Sequence, residues 1–206
     1  MPNPIIKIYQ TEPELRHFKE GLDKIKNIEG DLIEVGVFEG GTAKLMADAY
    51  PNRPIHLFDT FEGLPDTIRV DKGDSKNYTV GHCKGTIETA KDYLLMPVRP
   101  NGVKVWVDRP NVFWYKGVFP ETSDPVKDRR FAFAHIDVDI YQGTKDSLEF
   151  IYPRMNKGGL IIVHDYPAHP GVKRAVDEFM VGKKDEKEEL GSVQDWLRRQ
   201  LFITKL

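Results

Sequence analysis

The chain has 206 residues, 40% hydrophobic and 30% charged, the balance of one sizeable globular domain rather than of a disordered or fibrous chain. Its 30 Lys and Arg nearly cancel its 32 Asp and Glu, leaving a formal charge of -2, so no overall field exists to hold nucleic acid. The longest apolar runs, such as Gly158 to Val163, fall far short of the ~20 residues of a membrane span. No basic and apolar leader opens the chain, and the single Cys83 cannot form an internal disulfide, so a reducing cytoplasm is the expected compartment.

Thr11-Glu12-Pro13-Glu14 has capping-box spacing, and Leu15, Phe18, Leu22 and Ile25 recur at helical intervals until Asn27 and Gly30, which predicts an amphipathic helix. Asp31 to Val37 is a β-prone run ending in Gly36-Val37-Phe38-Glu39-Gly40-Gly41, and Thr42 to Tyr50 has helical composition before Pro51, giving strand, glycine turn and helix. Ile55 to Phe58 is a second apolar run and ends at Asp59. From Asp66 to His82 the chain is polar and turn-rich, as expected of a lid; a helix follows from about Thr86 to Leu95, then a hairpin around Asn101-Gly102.

Val112 to Lys116 is the third strand and Phe131 to Ile136 the fourth, closing on Asp137-Val138-Asp139. Thr144 to Met155 carries Leu148, Ile151 and Tyr152 on one helical face, and Gly158-Gly159 breaks to a fifth strand, Leu160 to Val163. Lys183 to Glu189 is a charge run expected to be a solvated face, and Phe202 to Leu206 a last edge strand. Apolar strands alternating with helices predict a single α/β domain over 1–206: a doubly wound, mostly parallel sheet with helices on both faces, an N-terminal helical extension over 1–30 and a lid and insert around 66–110. Such sheets bind ligands beyond the carboxyl ends of their strands.

The spacing Gly36-x-x-x-Gly40-Gly41 is not the Gly-x-Gly-x-x-Gly of dinucleotide folds, and no lysine precedes Thr42 as in a phosphate loop. A phosphate-free nucleoside suits the turn better, with Asp59 at the end of the second strand able to accept ribose hydroxyl protons. Asp137 and Asp139 lie two apart at a strand end, so both project to one side. His164-Asp165 ends the next strand at the same edge, and the four together could hold one divalent ion. The other histidines read as surface or packed residues, and Cys83 has no evident base partner.

The order of Glu34-Val-Gly-Val-Phe-Glu-Gly-Gly-Thr42, Phe58-Asp-Thr-Phe-Glu-Gly-Leu-Pro65, Lys116-Gly-Val-Phe-Pro-Glu-Thr122, Ile136-Asp-Val-Asp-Ile-Tyr141 and Asp165-Tyr166 resembles the macrocin O-methyltransferase family over roughly residues 30 to 180. The resemblance implies a Rossmann-like class I methyltransferase fold, S-adenosylmethionine as methyl donor, a divalent cation, usually magnesium, and a sugar hydroxyl of a glycoside as acceptor. It implies metal ligands at Asp137, His164 and Asp165, a general base at Asp139, and donor contacts from Glu34, Gly36, Phe38, Gly40, Gly41, Thr42, Asp59 and Phe61. The family usually has Asp-Asp-Tyr where this chain has His164-Asp165-Tyr166. That difference admits manganese or another transition ion, or places His164 outside the ligand set. The partner expected is the small-molecule glycoside, with no nucleic acid or membrane, and pairing into a homodimer stays open. The competing expectations are a catechol or phenol O-methyltransferase, a nucleoside-binding module without catalysis, and a nicotinamide-dependent oxidoreductase.

Overall fold

The structure, a computed structural model, describes residues 10–66, 78–95, 108–190 and 200–206. Helix α1 (Glu12–Lys24) starts at the expected capping box, where Glu14 Oε2 accepts from the Thr11 amide at 2.7 Å and from its hydroxyl at 2.8 Å. There follow β1 (Asp31–Val35), α2 (Gly41–Ala49), β2 (Ile55–Asp59), α3 (Ile87–Leu94), β3 (Val112–Lys116), β4 (Phe131–Ile136), α4 (Tyr141–Ile151), β5 (Met155–His164), α5 (Pro170–Met180), β6 (Glu186–Leu190) and β7 (Gln200–Thr204). The strands form one sheet in the order β3-β2-β1-β4-β5-β7-β6. The first five neighbours run parallel, while β7 and β6 join antiparallel.

Side chains alternate across each strand, so the sheet has two buried faces. Leu32 faces α1, α2 and α3, with Phe18, Leu22, Met46 and Leu94 in the same core. Ile33 and Val35 face α4 and α5, with Leu148, Ile151, Val172 and Val176. Chain order reverses between β1 and β4, and beyond the carboxyl ends of a parallel sheet that reversal opens a crevice.

Several elements differ from the sequence expectations. Helix α4 begins at Tyr141 rather than Thr144 and ends at Ile151; Tyr152–Arg154 forms one tight 3-10 turn instead, since Pro153 has no amide to continue the ladder. Strand β5 begins at Met155, so Gly158-Gly159 lies within it and not before it. The ladder pairs Phe131 with Met155 and Phe133 with Leu160, five steps on β5 against two on β4, and the excess is taken up as an irregularity around Gly158 at φ 80. Part of the charge run forms edge strand β6, and β7 lies inside the sheet between β5 and β6 rather than at its edge. The hairpin expected around Asn101-Gly102 and most of the lid lie outside the described residues. Among the described residues, no helix is long and apolar enough to cross a membrane.

Candidate active site

Strand β1 ends where Gly36 turns at φ 92. A Cβ there would stand 1.8 Å from the Asp137 carbonyl oxygen at the end of β4, so the glycine is what lets the two strand ends touch. Asp59 holds the turn: its Oδ2 accepts from the amides of Val37 at 2.7 Å and Phe38 at 2.8 Å, and its Oδ1 from the Phe61 amide at 2.7 Å. Phe38 and Phe61 both sit at positive φ, 52 and 54, conformations unfavourable for bulky side chains that these charge-assisted bonds offset. A carboxylate has about four acceptor sites; besides the three amides, Asp59 has a long contact of 3.5 Å from the Thr60 hydroxyl, which lies 2.6 Å from the Gly63 carbonyl, so a closer donor in the cavity it borders can take that place.

Glu34 does not reach the cavity. The period of two sends it with Leu32 to the α1–α2 face, where its Oε1 accepts from Thr42 Oγ1 at 2.5 Å and lies 2.7 Å from His135 Nδ1. Burial pushes this carboxyl up, against the opposing effect of His135 and Thr42. Through Thr42 and His135 it braces the turn from behind. Gly40 caps α2 against Ala90 and Leu94, and Phe61 packs on Trp114 with ring centroids 6.2 Å apart; neither borders the cavity. Gly36, Phe38, Gly41, Thr42 and Asp59 do.

The second half of the site is acidic. His164 Nδ1 lies 3.1 Å from Asp137 Oδ1 and 3.2 Å from Asp165 Oδ2, and one ligand atom from each of the three residues falls within 4.8 Å of the others. Neither ring nitrogen of His164 makes a hydrogen bond of acceptable angle despite these short distances. Burial alone would push the imidazole down, but Asp137 and Asp165 win and raise it well above its ordinary value. Two carboxylates converging on a buried imidazole form a donor set that fits a divalent cation. Asp139 turns into the same space at φ 63 and Asp165 at φ 62. Desolvation, then Asp165 and Asp137, push Asp139 well above the carboxylate range. Burial and the same acids push the Cys83 thiol up to about 12, which keeps it a neutral wall residue.

Four residues outside the sequence-based set also meet here. Tyr78 donates to Asp139 Oδ1 at 3.1 Å and approaches His169 Nε2 at 3.3 Å, and His169 Nδ1 lies 3.6 Å from Asp165 Oδ2. Gln10 Nε2 donates to Asp137 Oδ2 at 2.7 Å, and Glu14 Oε1 lies 3.5 Å from His164 Nε2. Of these, Glu14 alone carries a sequence signal, the capping box, which marks a helix start and not a site.

Both halves line one cavity of about 360 Å³, large enough for a small cofactor. Among the described residues its walls include six carboxylates, Asp59, Glu121, Asp137, Asp139, Asp146 and Asp165, and no lysine or arginine. Val37, Phe58, Leu64 and Phe119 supply apolar wall. Among the described wall residues a pyrophosphate meets no lysine or arginine, whereas a nucleoside carrying positive charge meets carboxylates.

Comparison with known proteins gives a consistent result. The family model described as Macrocin-O-methyltransferase (TylF) matches residues 11–197. Demethyldecarbamoylnovobiocin O-methyltransferase of Streptomyces niveus is 30% identical over 169 residues, 80% of this chain and 63% of that protein. A tetracenomycin 4'-O-methyltransferase of Streptomyces olivaceus, named for a rhamnosyl-bearing substrate, is 28% identical over 75% of this chain and 64% of its own length. The chain thus spans a little under two thirds of these relatives. The solved structure of the O-methyltransferase NovP superposes with a TM-score of 0.72 at 25% identity, covering 93% of this chain and 78% of that one. The fold is that of the Rossmann-like class I methyltransferases.

Proposed function

The chain belongs to the macrocin-O-methyltransferase family, and on that premise we propose that it transfers a methyl group from S-adenosylmethionine to a sugar hydroxyl of a glycoside with the help of a divalent cation. The observation that carries the reading is the cavity wall, six carboxylates without lysine or arginine among the described residues, which suits a sulfonium nucleoside and a metal ion and disfavours a dinucleotide. The relative named for a rhamnosyl-bearing substrate supports a sugar acceptor.

In this reading Gly36, Phe38, Gly41 and Thr42 form the donor wall, and Asp59 accepts from the ribose hydroxyls in place of its long contact with the Thr60 hydroxyl. Asp137, His164 and Asp165 hold the cation. When bound, a divalent ion supplies positive charge that makes an alcohol more acidic. Asp139 accepts the hydroxyl proton as general base. Tyr78, donating to Asp139, orients that carboxyl toward the acceptor. The chain's remaining task is to align oxygen, methyl carbon and sulfur, which can supply much of the rate.

The test is labelled-methyl transfer from S-adenosylmethionine to a panel of glycosides and catechols, with and without chelator. Chelator-sensitive transfer to glycosides is expected. Transfer to catechols alone would overturn the sugar acceptor, and full turnover in chelator would overturn the cation.

A further inference from the structure

We propose that Glu14, on the first turn of α1, is a positioning residue of the cation site: it accepts the Nε2 proton of His164 and thereby fixes the imidazole tautomer whose Nδ1 lone pair faces the cation. The inference rests on the reading of Asp137, His164 and Asp165 as ligands.

The placement follows from the strand period. Leu160 and Ile162 of β5 pack in the core beneath α1, and His164, two residues further on, falls on the same face, against the first turn of that helix. Glu14 is 0% exposed there, a setting in which a carboxylate needs partners. Its Oε2 is committed to the Thr11 cap, while its Oε1 lies 3.5 Å from His164 Nε2, close enough for charge to act on that edge of the ring though off the angle of a formed hydrogen bond. The ring is itself buried, with Nδ1 between Asp137 Oδ1 and Asp165 Oδ2 at 3.1 and 3.2 Å.

An imidazole that coordinates a cation is neutral and carries one N–H. Placed on Nδ1, that proton would occupy the point where the ligand atoms converge and would leave the Nε2 lone pair against the Glu14 carboxylate. Placed on Nε2, it is turned toward the negative charge of Glu14 and frees Nδ1 for coordination, the arrangement in which an outer carboxylate orients a metal-binding histidine. The same short segment supplies Gln10, which binds Asp137 Oδ2 at 2.7 Å and leaves Oδ1, the oxygen nearest His164 Nδ1, turned to the site. The start of α1 therefore orients two of the three ligands. An imidazole nitrogen held this way tilts the site from magnesium toward manganese and its neighbours.

The experiment uses the full chain and two probes. Long-range proton–nitrogen spectra of the zinc-loaded protein should show His164 protonated at Nε2 with Nδ1 on the metal. Calorimetry with manganese should show affinity falling ~10- to 100-fold in Glu14→Leu and mostly restored in Glu14→Gln, whose amide oxygen accepts the same proton. Thr11→Ala, which removes only the hydroxyl arm of the cap, should leave manganese affinity unchanged. Protonation at Nδ1 with metal on Nε2, wild-type affinity in Glu14→Leu, or an equal loss in Thr11→Ala would each overturn the proposal. If the wild-type protein binds neither manganese nor zinc, the ligand reading fails first; if it binds both and Glu14→Leu binds equally well, Glu14 alone is removed. Should Glu14→Leu fail to fold, the wild-type spectrum still decides.

Discussion

The two halves of the cavity are built from different materials. The half at β1 and β2 is a backbone construction, in which Gly36 permits contact with Asp137 and Asp59 gathers three amides. The half at β4 and β5 is a side-chain construction, in which like charges are pressed together around His164 and the α1 segment orients them. Backbone geometry is inseparable from folding, whereas crowded carboxylates serve chemistry at some cost to stability. Damage to the first half should therefore appear in melts as well as in binding, and damage to the second mainly in turnover.

The largest expected effect breaks the seam between them. Gly36→Ala forces a Cβ to within 1.8 Å of the Asp137 carbonyl oxygen at φ 92, which should cost upwards of about 3 kcal/mol; a urea melt matching wild type would show that the turn can yield. Asp139→Asn should lower methyl transfer ~100- to 10,000-fold while calorimetry with S-adenosylmethionine stays unchanged. Comparable loss of donor affinity would mean that the two halves are not separable. Asp59→Asn should do the opposite, weakening donor binding roughly tenfold and stability by about 1 to 3 kcal/mol, because the charged acceptor of three amides is lost. Donor affinity falling with no change in the melt would contradict the bracing role of Asp59.

The smallest effect concerns Cys83, whose thiol is pushed up to about 12, by burial first and then by Asp139, Asp137 and Asp165. An unfolded cysteine deprotonates near ~8.5, so the folded state holds the proton more tightly. The thiol's contribution to stability is present in full below the unfolded value and is lost as pH rises toward the folded one. Iodoacetamide at pH 9 should modify urea-unfolded chain much faster than folded chain. Equal rates would show that the acids do not act on this wall.

Much of the scaffold is legible because parallel strands buried on both faces must be continuously apolar; Phe131 to Ile136 and Ile55 to Phe58 could be little else. The glycine turn and the acids at the strand ends are legible for the same reason, since the strands point to them. Helix α5 is masked by Pro167 and Pro170, which read as turn, although Val172, Ala175, Val176 and Met180 form its buried stripe. Strand β6 is masked by its own charges, the means by which an edge strand avoids pairing with other chains. Glu34 shows the limit of reading function from a strand end: it lies inside β1, one step too early, and alternation turns it from the cavity to His135. Gln10, Glu14, Tyr78 and His169 join the site through tertiary packing, which spacing along the chain does not encode.

The sheet order β5-β7-β6 also bears on how the chain is made. Strand β6 leaves the ribosome before β7, yet its hydrogen-bonding neighbour is β7 and not β5. Until residue 204 has been translated, β5 keeps a bare edge exactly beside the end that carries His164, and β6 has nothing to pair with. Synthesis from the N-terminus can assemble the parallel strands in advance, but this side of the sheet closes by inserting β7 between two strands made before it. A pause in translation over residues 191–199 would hold open the outer edge of β5, and an open edge of Ile and Val is what neighbouring nascent chains on one message can pair with.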